Sequence, residues 1–161
     1  ESVSLADGEV EKLDAAASKD NASFSTLLAK GRDDYDFITR TTSGRVQRFK
    51  GFDQLTGQKT SIDGVALERC RFEMTIEVAA GNALATRKGK QYNSRERRVF
   101  FSETESYENS FGDKSVTTEA PVTFAFPGED GFAAAKPEYD CDMMMTDLSP
   151  LLDHPSKEAL R

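Results

Sequence analysis

Two cysteines, one histidine and a set of strand-borne carboxylates are the residues on which any chemistry would have to rest. Cys70 stands in a run where Cys70, Phe72, Met74, Ile76 and Val78 alternate with Arg69, Arg71, Glu73, Thr75 and Glu77. Cys141 stands in a second alternating run, in phase with Tyr139, Met143 and Met145 and out of phase with Asp140, Asp142 and Met144. Side chains two apart share a strand face, so each cysteine independently faces the expected core. Two such strands can bring their Cα atoms to the roughly 5.5–6 Å that a disulfide prefers. The expectation is a Cys70–Cys141 disulfide, which in the chain-entropy picture stabilises the fold by about 4 kcal/mol. Two buried free thiols are the alternative, since unpaired Cys is itself among the most buried residue types. A disulfide implies an oxidising compartment, periplasmic or extracellular, and removes both sulfurs from nucleophilic catalysis and metal ligation.

His154, the only histidine, sits in Leu151-Leu152-Asp153-His154-Pro155, a tail with little to pack. A catalytic triad would have to use it, and there is no Gly-x-Ser-x-Gly elbow; a surface histidine is the simpler reading. One histidine and two paired cysteines exclude the usual zinc sets. Cys141, Met143, Met144, Met145 and His154 are soft ligands of the kind copper(I) prefers, but a strand sends Met144 to the face opposite Met143 and Met145. Asp33-Asp34-Tyr35-Asp36 and Glu129-Asp130-Gly131 do not match an EF-hand loop and read as solvated edges. No metal, cofactor or catalytic residue is therefore assigned. Glu73, Glu77, Glu103, Glu105, Asp140 and Asp142 lie on expected strands, where two carboxylates could make a glycosidase-type pair; nothing singles out a pair.

Charge separates the chain into regions. Arg87, Lys88, Lys90, Arg95, Arg97 and Arg98 face a single acid, Glu96, across 87–98, while 128–161 carries eight acids against three bases. With Tyr92, these basic residues form the candidate anion- or partner-binding segment. The net charge of −7 argues against nucleic acid, which needs a basic field. The expected partner is a protein or an anionic envelope component.

The elements that would position these residues follow from periodicity. Val10, Leu13 and Ala17 fall on one helical face, and Phe24, Leu27 and Leu28 repeat the spacing, with Asn21 or Ser23 as N-cap and Gly31 as C-cap. One or two short helices are expected over 1–31. From Tyr35 the period is two. Strands are expected over 35–42, 45–52, 58–62 and 70–78; a basic connection to about Tyr92; strands over 92–105, 116–126 and 138–146; a helical turn at 132–136; and an irregular tail, 148–161. Pro121 demotes its strand to an edge. At 161 residues, 37% of them apolar and 30% charged, the chain suits one antiparallel β domain over 32–147, a β-sandwich or a strongly curved sheet or barrel. No apolar run is long enough to cross a bilayer as a helix. The chain begins Glu1-Ser2-Val3-Ser4 without Met, a start that signal-peptide removal or trimming of a tag would each produce. Together these point to an exported, non-catalytic binding or accessory domain. A carrier with a β-lined apolar pocket and a carboxylate-based hydrolase are the alternatives.

Overall fold

The computed structural model describes residues 2–4, 8–78 and 83–134. Eight strands run in chain order: β1 (Ser2–Val3), β2 (Val10–Leu13), β3 (Arg32–Thr41), β4 (Val46–Ile62), β5 (Val65–Val78), β6 (Ala83–Ser94), β7 (Val99–Asn109) and β8 (Lys114–Thr118), with helix α1 (Phe24–Lys30) between β2 and β3. Each strand pairs antiparallel with the next, giving one meander that curls into a half-barrel. Of the expected β architectures, the curved single sheet is the one formed.

Sequence chemistry explains the joints. Asp63 and Gly64 both take positive φ, 47° and 75°, as a tight hairpin turn between right-twisted strands requires. The gap expected between strands 45–52 and 58–62 is instead a bulge: β4 runs through it, with the register against β5 shifting between Leu55 and Lys59. Curvature needs glycine at two strand positions. A Cβ on Gly51 would lie 2.0 Å from the Glu73 carbonyl oxygen, and one on Gly89 would lie 1.9 Å from that of Thr104. No side chain fits such close backbone approaches, so both glycines permit the sheet to curl.

Helix α1 matches its signals. The Ser23 Oγ accepts from the Thr26 N–H at 3.2 Å, and Gly31, at φ 77°, donates its N–H to the Leu27 carbonyl. Leu27 is completely buried against the sheet. The Phe24 ring lies 5.0 Å from that of Phe100, and the Leu55 N–H donates to the Gly31 carbonyl at 2.8 Å. Seven residues make too short a helix to persist alone; packing holds it.

Several further elements differ from expectation. The strand expected over 116–126 shortens to β8, Lys114–Thr118, and residues 119–126 form no strand. Val10–Leu13 is strand β2, paired with Leu13–Glu11 opposite Thr39–Thr41, rather than a helix: edge pairing to β3 outweighs a weak helical periodicity. The connection expected up to about Tyr92 is instead strand β6, which runs from Ala83 to Ser94. The strand expected over 92–105 is displaced: β7 starts only at Val99, because 95–98 is the β6–β7 turn, and runs on to Asn109. The Gly81-Asn82 break and the 138–146 strand lie outside the described residues.

Contacts divide the chain into two units, Glu1–Phe124 and Ala125–Arg161. In the second, the Phe126 N–H donates to Glu129 Oε2 at 2.7 Å, and Phe132 and Ala134 donate to the Glu129 and Gly131 carbonyls. These are isolated turns with Ala133 at a positive φ of 55°, not the helical turn expected over 132–136, of which residues 135 and 136 lie outside the described residues.

Candidate functional site

Strand phasing and register place Asp33, Tyr35 and Phe37 of β3, Phe49, Asp53 and Leu55 of β4, Cys70, Phe72, Met74 and Ile76 of β5, and Arg87, Gln91 and Asn93 of β6 on the face that carries α1, the inner face. Along Tyr35, Phe37 and Phe49 it is aromatic, with the Phe37 and Phe49 rings stacked at 5.1 Å. Beneath α1 it turns polar.

Asp33 and Asp53 are direct cross-strand partners, so their Cβ atoms stand about 4.5–5.5 Å apart. Asp33 is 5% exposed; its Oδ2 accepts the Ser23 backbone N–H at 2.6 Å. The Asp53 Oδ1 accepts the Gln91 Nε2–H at 2.7 Å. Burial, and then the charge of Asp33, push the Asp53 carboxyl up to about 6; burial raises Asp33 as well. The same burial, helped by Asp53, pushes the Cys70 thiol up to about 11 and raises the Tyr35 hydroxyl further above its usual range. Two residues along β6 from Gln91, Asn93 is fully buried, and its carboxamide has no hydrogen-bond partner among the described residues.

Gln91 also belongs to a cavity. About 390 Å³ opens on the inner face, lined by Phe72, Arg87, Gln91, Ser102, Glu105, Thr117 and Glu119. Arg87 donates from Nε and Nη2 to the Glu105 Oε1 at 2.8 and 2.7 Å. The Glu119 backbone N–H donates to the Glu103 carbonyl at 3.1 Å, while its carboxylate makes no ion pair among the described residues, so the lining carries one more acid than base. A second, shallower depression of about 550 Å³ runs along β3–β5 and is lined mainly by Lys19, Asp20, Asp36, Lys50, Glu73 and Glu77, with Phe52 and Met74. The Arg48 guanidinium grips Asp36 at 2.5 and 2.6 Å and holds its carboxyl below the usual range.

The basic segment does not gather into one patch. Arg87 points inward to Glu105, whereas Lys88 and Lys90 stand exposed on the opposite face. Tyr92 is buried on that opposite side, its hydroxyl donating to Glu103 at 3.1 Å, with Arg69 pairing the same carboxylate at 2.8 Å. Arg95 is bound to Glu68 at 2.7 Å, Arg97 lies 3.5 Å from Glu96, and Arg98 donates to Ser25 while stacking over Phe24 at 5.0 Å. Of these cations, Arg95 and Arg98 tie the β6–β7 turn to β5 and to α1.

Among the described residues Cys70 is an unpaired, fully buried thiol; Cys141 lies outside them, as do His154, Asp140, Asp142 and Met143 to Met145. The strand carboxylates divide between faces, Glu73 and Glu77 outward and Glu105 inward. Asp33 points inward while Asp34 and Asp36 point outward to Arg32 and Arg48, so the acidic run cannot converge on calcium; no group of three or more metal-ligand side chains forms among the described residues. No helix among them is long and apolar enough to cross a membrane. The Asp33–Asp53 pair was missed from sequence, although both residues share the period-two phase of apolar neighbours, Tyr35 and Phe37 for one and Phe49 and Leu55 for the other. Comparison with known proteins finds no matching family model, no matching curated protein and no matching solved structure.

Proposed function

We propose that this chain is an exported, non-catalytic binding domain that holds a small polar molecule on the inner face of its sheet. The observation that carries the reading is the 390 Å³ cavity, of a size that suits small ligands, whose lining is hydroxyl, amide and charged except for Phe72. That lining weighs against an apolar cargo, because burying unpaired polar groups against hydrocarbon is costly. The carboxylate pair weighs only lightly towards hydrolysis, since Asp33 and Asp53 sit beneath α1 and line neither of the two cavities described above. Export rests on the expected Cys70–Cys141 disulfide: no free thiol in the denatured, unreduced protein supports it, and two free thiols overturn it.

Native mass spectrometry of protein purified from its source cell tests the binding reading. A retained polar molecule that is lost in Glu119→Gln and Arg87→Ala supports it. A retained lipid supports the carrier instead, and bare protein in the wild type overturns the small-molecule reading.

A further inference from the structure

We propose that Asp33 and Asp53 form a single-proton binding site that latches helix α1 onto the sheet, so that loss of this proton loosens the helix from the inner face. The inference does not depend on what the cavity binds.

The geometry begins with two carboxyls that face each other across β3 and β4 under a helix. Like charges at such separation in a poorly solvated site disfavour double ionisation, and one proton shared by the pair removes the repulsion. Among the described residues each carboxyl has one donor: the Ser23 backbone N–H for Asp33 and the Gln91 amide for Asp53. The groups facing the pair offer little compensation. From the segment leading into the helix comes another acid, Asp20; from the last helical turn comes Lys30, exposed and acting on Asp33 alone. From β3 come Asp34, turned outward, and Tyr35, from β5 comes Cys70, and from β6 comes the uncharged Gln91. No cation is among the groups acting on Asp53.

The helix has few other ties. Leu27, the Phe24–Phe100 ring contact, the Arg98–Ser25 bond and the Leu55–Gly31 bond hold it, and its N-cap residue is the one bonded to Asp33. The docked state therefore retains a proton that a water-exposed pair would release. The sign follows by linkage. Between the ordinary carboxyl value of about 3.9 and the docked value, the docked state binds more protons, so docking is strongest at low pH and weakens as pH rises. With Asp53 at about 6, the loss falls across mildly acidic to neutral pH.

Hydrogen exchange read by mass spectrometry over residues 23–31, corrected for the intrinsic pH dependence of exchange, tests the latch in the intact chain. From about pH 5 to about pH 7.5, protection of α1 should fall about tenfold or more. In Asp53→Asn, neutral at every pH, protection should stay level, while Asp20→Asn should leave the fall in place. Unchanged wild-type protection, or the same fall in Asp53→Asn, overturns the proposal. Should that variant not fold, carboxyl-carbon NMR titration of the wild type decides: an aspartate midpoint near 6 supports the site, and midpoints all in the ordinary range overturn it.

Discussion

Gly51→Ala is the sharpest test of how the sheet obtains its curvature. The new Cβ would sit 2.0 Å from the Glu73 carbonyl oxygen and 2.7 Å from the Met74 Cα, where real contacts essentially never fall below 3.0 Å. The β4 and β5 backbones would have to part by about 1 Å at their closest point, enough to break about two ladder hydrogen bonds at about 1 kcal/mol each. Residual overpacking adds about 1–3 kcal/mol, for a total near 3–5 kcal/mol, a large share of a domain's usual 5–15 kcal/mol. Gly64→Ala is the control: nothing lies within 4 Å of its Cβ, and only the positive φ of 75° is penalised, at about 1–2 kcal/mol. Urea unfolding followed by far-ultraviolet circular dichroism should show the Gly51 variant losing about 2 M in midpoint, with m near 1–3 kcal/mol/M. Equal losses in the two variants would refute the argument that backbone proximity, rather than turn conformation, dominates at Gly51.

Other perturbations bear on the helix, the thiol and the ion pairs. Leu27→Ala removes the fully buried contact of α1 and should cost about 2–5 kcal/mol in chemical denaturation, with exchange protection lost first over 24–30. In reduced, folded protein Cys70, buried and held near 11, should react with iodoacetamide at neutral pH far more slowly than after unfolding in urea; equal rates would contradict its burial. Asp36 is depressed by Arg48, so that pair contributes stability above the ordinary carboxyl pKa, lost as pH falls through the depressed value. Arg48→Gln should therefore flatten the acid limb of the stability profile, and an unchanged limb would rule the pair out as its source.

Much of the sheet was legible because several strands carry one apolar face. Tyr35 and Phe37, and Cys70 to Ile76, announce their strands by alternation, and Ser23 and Gly31 announce the ends of α1. Strand β6 was hidden because its inward positions carry Arg87, Gly89, Gln91 and Asn93, so the pattern that marks a strand is absent where the polar site lies. Strand β2 was hidden for a different reason: four residues, Val10 to Leu13, fit a helical spacing as well as an extended one, and hydrogen bonds from β3 decide between them. The carboxylate pair depends on register, which brings together residues 33 and 53 from strands whose separate sequences show only an acid in an apolar phase. The basic segment was legible as charge, but not as its division between two faces around a turn.

The meander has a consequence for how the chain takes shape as it is made. From β3 onward each new strand pairs with its immediate predecessor across a short connection, so these closures are hairpins with the small entropic cost of a short loop. A chain delivered from its N-terminus can add strands in order, each onto a template already present. Helix α1 breaks that order. Ser25 must wait for Arg98, 73 residues later, and Phe24 for Phe100. The helix is made early and seated late, so Asp33 and Asp53 spend the interval open to water.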